Sequence, residues 1–325
     1  MEKTIAITGA TGFAGRHAVA ELLKGGYRLR ALVRDPVAAR LPSEVEIIRG
    51  DMGDDEALDA LVRGSYAVIH LAGALWGLTS HDYFRVNAHG TVALAEAAIR
   101  RGTGRFIHVS SLAAREPGLS PYAASKRAGE DAVGVIAERL NAVILRPPAV
   151  YGPGDRATLP LMRELTRPLA VIPGRSDARF SLIHVADLAR LIARAVTEDV
   201  GGLQEVSDGT PGGYGWADLV AVASAEQGRP VRPLFLPMAV PGTVAALAEI
   251  VAKVRRKPGL ITRGKVAELY HLDWVARPPE LVLAEPTRFA QGFAETLAWY
   301  RSAGWLPQAS GPDRSPARPK EEPGP

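Results

Sequence analysis

The octapeptide TGATGFAG, Thr8 to Gly15, sets glycines at positions 9, 12 and 15 between a short apolar run and a stretch with helical spacing. A strand ending at Thr8, a bare turn and a helix starting near Phe13 bring backbone N–H groups and the positive end of a helix to one point. Such a point suits a phosphate. In this arrangement Gly9 permits the tight turn, Gly12 lets a pyrophosphate approach the main chain, and Gly15 lets the helix pack closely on the strand. Three glycines alone also suit an ordinary turn; the strand before them and the alternation after them decide between the two.

That alternation runs through the first half of the chain. Candidate strands are Thr4 to Thr8, Arg28 to Val33, Val45 to Arg49, Ala67 to Leu71, Arg105 to Ser110 and Ala142 to Leu145. Helical spacing fills Ala14 to Lys24, Asp54 to Arg63, Asn87 to Arg100 and Pro121 to Arg139. The pattern predicts an α/β fold, a Rossmann-type doubly wound parallel sheet with helices on both faces. From Tyr151 the rhythm changes, prolines accumulate, and a smaller, mainly helical substrate domain is expected, with helices over Val240 to Val254 and Thr262 to Leu269. The expected division is 1–155 for the nucleotide-binding domain, with 180–210 and its strand Leu203 to Val206 returning to the sheet, and 156–307 for the interleaved second domain. The end, QASGPDRSPARPKEEPGP, residues 308–325, has almost nothing to bury and reads as a disordered tail.

Composition narrows the classes further. Over 325 residues, 47% hydrophobic and 23% charged residues describe a globular protein with ample core. A net charge of +4 with scattered basic residues and no interleaved aromatics gives no ground for a nucleic-acid partner. The absence of cysteine excludes disulfides, thiolate metal sites and cysteine nucleophiles, and fits a reducing cytosol; no secretory signal is expected, and a cytoplasmic location is. The most lipid-like stretch, Leu234 to Val254, is interrupted by Pro237 and Pro241 and carries Glu249 and Lys253, so it should not span a bilayer. Oligomeric state, monomer or homodimer, is left open.

The opening resembles the TGxxGxxG fingerprint of the short-chain dehydrogenase/reductase superfamily, in its extended, NAD(P)-dependent epimerase/dehydratase-like branch. The resemblance continues through GDMGD (Gly50 to Asp54), IHLAG (Ile69 to Gly73), VNAHGT (Val86 to Thr91), HVSS (His108 to Ser111), YAASK (Tyr122 to Lys126), RPPAVYGPGD (Arg146 to Asp155) and SLIHVADLA (Ser181 to Ala189). It implies that Gly9, Thr11, Gly12, Phe13 and Gly15 hold a nicotinamide dinucleotide. Asp51 and Met52 would flank its adenine, Leu71, Ala72 and Gly73 would line its middle, and Pro147 to Val150 would approach the nicotinamide amide. An acidic residue at the end of the second strand would bind the ribose 2′-hydroxyl of NAD, whereas an arginine pairs with the 2′-phosphate of NADP. Here GYRLRALVRDP has Val33 at the acidic position and Arg34 next, similar to dihydroflavonol-reductase-like members, and NADP is expected rather than NAD. Asp35, before Pro36, reads as the start of a turn.

Tyr122 and Lys126 stand four apart on a predicted helix and project from one face, with Ser111 at the end of a strand eleven residues earlier. A free tyrosine ionises near pH 10; a lysine ammonium and an oxidised nicotinamide both favour phenolate and are expected to lower that value. Tyr122 could then exchange a proton with a substrate oxygen while Ser111 holds it, and the resemblance implies that Lys126 also binds the nicotinamide ribose. Ser110 competes with Ser111, but a strand reverses facing at each step and family alignment favours the second. Asn87 either positions the site or caps the following helix, capping being the preferred reading, and Asp187 is expected to cap another helix and fix the loop bearing His184. His70, His81, His89, His108 and His184 form no metal-like spacing and read as structural.

Three functions remain open at this level. The first is an NADP-dependent oxidoreductase acting on a carbonyl or secondary alcohol of a small, lipophilic molecule, with LFLPMAVPGTVAALAEIVAKV either lining a greasy pocket or resting on a membrane surface. The second is a nucleotide-sugar epimerase or dehydratase, whose diphosphate substrate could meet Arg163, Arg167, Arg175 and Arg179. Against a dehydratase, only Glu116 stands near the serine as an acid. The third is a nonenzymatic assembly or accessory protein that binds NADP structurally, for which an intact Ser111, Tyr122 and Lys126 would have no use.

Overall fold

The computed structural model describes residues 3–308 apart from Pro258 and Leu260; the stretch 309–325, expected to be disordered, lies outside the described residues. Six parallel strands open the chain: β1 (Thr4–Thr8), β2 (Arg28–Val33), β3 (Val45–Arg49), β4 (Ala67–His70), β5 (Phe106–Val109) and β6 (Ala142–Leu145). Then follow β7 (Ala149–Tyr151), β8 (Leu169–Pro173), β9 (Arg179–Phe180), β10 (Leu182–His184), β11 (Gly202–Gln204), β12 (Tyr214–Gly215), β13 (Arg232–Leu236) and β14 (Asp273–Trp274). The main sheet has the order β11-β6-β5-β4-β1-β2-β3, all parallel, so the chain reverses its direction of growth between β1 and β4. A crevice opens at such a switch point, at the carboxyl ends of the strands.

The helices are α1 (Phe13–Lys24), α2 (Asp55–Val62), α3 (Ser80–Phe84), α4 (Gly90–Arg100), α5 (Pro121–Leu140), α6 (Leu159–Leu165), α7 (Val185–Ala195), α8 (Trp216–Gln227), α9 (Ala239–Arg255), α10 (Arg263–Leu269) and α11 (Phe289–Ser302). Central strands are apolar on both faces because both are covered: Ile5, Ile7 and Ile69 pack with Val19, Leu22 and Leu191 of α1 and α7, while Ala6, Val68 and Phe106 pack with Leu58, Leu94 and Val133 of α2, α4 and α5. A third cluster, around Tyr151, Trp216, Phe293 and Tyr300, joins α6, α8 and α11.

Local chemistry explains most boundaries. Asp54, not Asp51, caps α2 by accepting from Ala57 N at 3.0 Å. Ser120 caps α5, with Pro121 at its first position and Asn141 in a left-handed conformation at its end. Helix begins seven residues before the Asn87 start expected from sequence: α3 runs through a π-helical turn, Arg85–His89, into α4. Asn87 therefore caps nothing. Asp187 is likewise inside α7, in its first turn, where its carboxylate accepts from Thr287 N at 2.6 Å and pairs with Arg190. No helix among the described residues is long and apolar enough to cross a membrane.

Candidate active site

The glycine turn is built to its backbone limits. Gly9 has φ +74°, and a Cβ there would lie 2.6 Å from Ala72 N; a Cβ at Gly15 would lie 2.0 Å from Gly9 O. These two positions set how closely α1 approaches β1 and β4. Gly12 is different, because it is exposed, caps α1 with no side-chain bond, and meets only Gly9 O at 3.2 Å. The first N–H groups of α1 are thus left pointing outward beside Thr11 and Phe13, a cradle that a dinucleotide phosphate fits.

Around the turn, Arg16 donates to Thr11 O at 3.0 Å and reaches Ala39 O at 3.5 Å, so its guanidinium spans from the glycines to the loop after β2. Arg34, exposed at the end of β2, makes no hydrogen bond or ion pair among the described residues. Asp35 does start a turn, accepting from Val37 N and Ala38 N. Asp51 accepts from Gly53 N at 2.8 Å, whereas the Met52 side chain is buried among Ala57, Leu58 and Leu94.

The floor of the crevice is a run of hydrogen bonds whose direction can be worked out. Ala72 N donates to Thr8 Oγ1 at 3.3 Å, and because Thr91 spends its proton on Asn87 O, the neutral His70 carries its hydrogen on Nε2 and accepts the Thr8 proton on Nδ1 at 2.7 Å. His70 Nε2–H then donates to Thr91 Oγ1 at 2.9 Å, and Thr91 donates to Asn87 O at 2.8 Å. The Asn87 side chain clasps Ala74 through N–H and carbonyl, at 2.7 and 3.1 Å, and donates to Ser125 Oγ at 2.9 Å, which in turn donates to Tyr122 O at 2.8 Å. Burial, reinforced by Lys126, holds His70 neutral, its pKa lowered to about 3. His108 stacks on it at 5.2 Å and is also held neutral by burial, with neither ring nitrogen hydrogen-bonded.

Ser111, Tyr122 and Lys126 meet at the end of β5. Ser111 Oγ accepts from Ala113 N at 3.2 Å and favours the ionised form of the Tyr122 phenol; Ser110 Oγ is buried without a partner. Lys126 Nζ donates to Val109 O at 2.9 Å, and a Cβ at Gly73 would stand 3.9 Å from that ammonium. Leu71, Ala72 and Gly73 thus form one bank of the crevice. Pro147, whose carbonyl accepts from Leu112 N at 2.8 Å, and Val150 in β7 lie beyond β6. The lowered tyrosine pKa expected from sequence counts an oxidised nicotinamide beside the ring; in the chain itself burial, opposed by Ser111 and aided by Glu268, pushes Tyr122 up to about 12. Burial lowers Lys126 to about 8, opposed by Glu130.

Sequence reasoning missed the contribution of the second half. Glu268 of α10, buried, accepts from Ser120 Oγ at 2.5 Å and from Lys265 Nζ at 3.0 Å, and Lys265 lies 6.0 Å from the Tyr122 ring centre. Trp274 Nε1 donates to Glu268 O at 2.8 Å. Tyr83 packs edge-on to Tyr122 at 6.5 Å and feels the charges of Glu268 and Glu249. Helix α10, with α9 packed on it, therefore caps the crevice beside the tyrosine. Arg16 was also missed, although its place just after the third glycine was a visible signal.

A model of the NAD dependent epimerase/dehydratase family matches residues 5–206. The chain is 44% identical over 309 residues to the ceramide reductase of Caulobacter vibrioides, covering 94% of this chain and 96% of that protein. It is 27% identical over 356 residues to a dTDP-glucose 4,6-dehydratase of Streptomyces niveus, covering 97% and 98%. Among solved structures, MoeE5 in complex with UDP-glucose and NAD superposes with a TM-score of 0.69 at 22% identity, over 93% of this chain and 99% of that one, a likeness of fold.

Proposed function

This chain belongs to the NAD dependent epimerase/dehydratase family, an extended branch of the short-chain dehydrogenases/reductases, and from that premise we propose that it reduces a carbonyl on a long-chain, ceramide-like amphiphile, using NADP(H). The observation that carries the reading is the meeting of Ser111, Tyr122 and Lys126 at the crevice of a chain 44% identical to a ceramide reductase. We assign the cofactor to 1–155 with 180–210, and the substrate to 156–307.

Bound NADP(H) supplies the hydride; the chain supplies a proton and a grip. With its pKa pushed up to about 12, Tyr122 is a full phenol at neutral pH, equipped to give a proton to a carbonyl oxygen as that oxygen gains charge. Ser111 holds the same oxygen. Lys126, anchored on Val109 O, faces Gly73 across the bank where the nicotinamide ribose belongs. Arg34 and Arg16 at the rim of β2 support NADP(H) over NAD(H), because Asp35, the one carboxylate at hand, is spent on its own turn.

Nucleotide-sugar turnover is less well supported. Three of the arginines that a diphosphate would need are paired already, Arg167 with Glu164 at 2.6 Å, Arg175 with Asp177 at 2.9 Å and Arg179 with Asp218 at 3.3 Å. The test is NADPH consumption with a ceramide-type ketone against dTDP- and UDP-hexoses. Stoichiometric NADPH loss with the lipid ketone is expected; conversion of a hexose without net NADPH loss, and none of the ketone, overturns the reading.

A further inference from the structure

Helix α9 turns its apolar side outward. Val240, Val244, Leu247, Val251 and Val254 follow at steps of four, three, four and three, one stripe along a helix. All five are exposed, from 47% at Val251 to 80% at Val254, and Ile250 beside them is 61% exposed. The helix is held by its other face: Ala245 is buried, and Glu249 accepts from Arg263 N at 2.8 Å and Arg263 Nε at 2.9 Å. Exposed apolar area arranged this way marks an interaction surface.

Charge decides what it meets. Lys253, Arg255, Arg256 and Lys257 crowd the carboxyl end of the stripe, all exposed and in no ion pair among the described residues. The one carboxylate on α9 is that of Glu249, already engaged by Arg263. Pairing two such stripes antiparallel would lay this cluster over residues 238–242 of a second copy, which carry no acid; parallel pairing would stack the clusters on each other. We propose that the face docks on an anionic lipid bilayer, the stripe entering the acyl boundary and the cations meeting headgroup phosphates. Since α9 packs on α10, which stands beside Tyr122, docking brings that side of the crevice toward the membrane, whichever reaction the crevice performs.

The experiment uses the full chain without dinucleotide or substrate, sedimented with vesicles of phosphatidylcholine alone or mixed with phosphatidylglycerol, so its outcome is separate from that of the reductase assay. Retention on the mixed vesicles is expected, weakened by salt and by omitting the anionic lipid. Leu247→Asp with Val251→Asp should reduce partitioning at least about tenfold, and Arg255→Gln with Arg256→Gln by about tenfold as well. Both pairs should keep the wild-type melting temperature, since these side chains already stand in water; should the aspartate pair fail to fold, the glutamine pair still gives the answer. Absence of wild-type retention, retention unaffected by either pair, or a wild-type dimer that the aspartate pair splits would each overturn the proposal.

Discussion

The floor of the crevice and its cap are held in opposite ways. Along the floor, from Ala72 through Thr8, His70, Thr91 and Asn87 to Tyr122, each of these polar groups is buried or half-buried and has a partner. The cap reaches that floor through the Glu268 carboxylate and leaves the largest apolar side chains of α9 in water. A buried, satisfied network resists rearrangement, because breaking one bond strands a polar group at a cost of about 1–3 kcal/mol. In the cap that penalty attaches to the contact of Glu268 with Ser120, while the outer face of α9 carries none.

That contrast can be tested from its strong end. Tyr122→Phe should cut turnover by about 10²–10⁴-fold with dinucleotide affinity unchanged, measured by steady-state kinetics and fluorescence titration; a smaller loss would move the proton donor off the floor. Gly15→Ala, by forcing α1 away from Gly9 O, should destabilise the fold by about 1–3 kcal/mol in chemical denaturation and weaken dinucleotide binding.

Acid should find the floor before the cap. His70 is neutral when folded, with its pKa lowered to about 3 from 6.5, so its contribution is complete above about pH 6.5 and is lost as pH falls toward the folded value. His108 adds in the same direction. Stability should fall by up to about 1.4 kcal/mol per pH unit for each histidine in that window, and a flat denaturation midpoint down to about pH 5 would contradict the buried network. The smallest effect belongs to the cap: Glu268→Gln keeps an acceptor for Ser120 but removes the charge, so the tyrosine limb of the pH–rate profile should move toward acid while turnover near neutrality changes only a few-fold. An unmoved limb would mean that the cap does not tune the phenol.

What could be read from sequence follows the same division. Strands β1, β2, β3 and β6 lie where the sequence predicts them; β1 and β6 are covered on both faces and leave a continuous apolar signature, whereas the edge strand β3 is mostly exposed. Strand β5 is one residue shorter than its run at each end, although Arg105 O still accepts from Val68 N and Ser110 N still donates to Leu145 O. The π-helical turn had no local signal: VNAHGT reads as a helix start, and only contacts with Ala74 and Ser125 show Asn87 as a clasp. Glu268 was beyond reach for another reason, as it meets Ser120 across 148 residues of chain. For α9 the periodicity was plain, but a stripe of valines and leucines does not say whether it faces a core or a solvent.

The one-way arrangement of protons beneath the cofactor cradle has a practical corollary. Because the Asn87 carbonyl fixes Thr91, Thr91 fixes the imidazole tautomer and the imidazole fixes Thr8, no member of the series can be exchanged for a residue of reversed polarity without rewriting its neighbours. Engineers seeking another dinucleotide or another substrate should therefore leave these positions alone and edit Arg34 and the exposed stripe of α9.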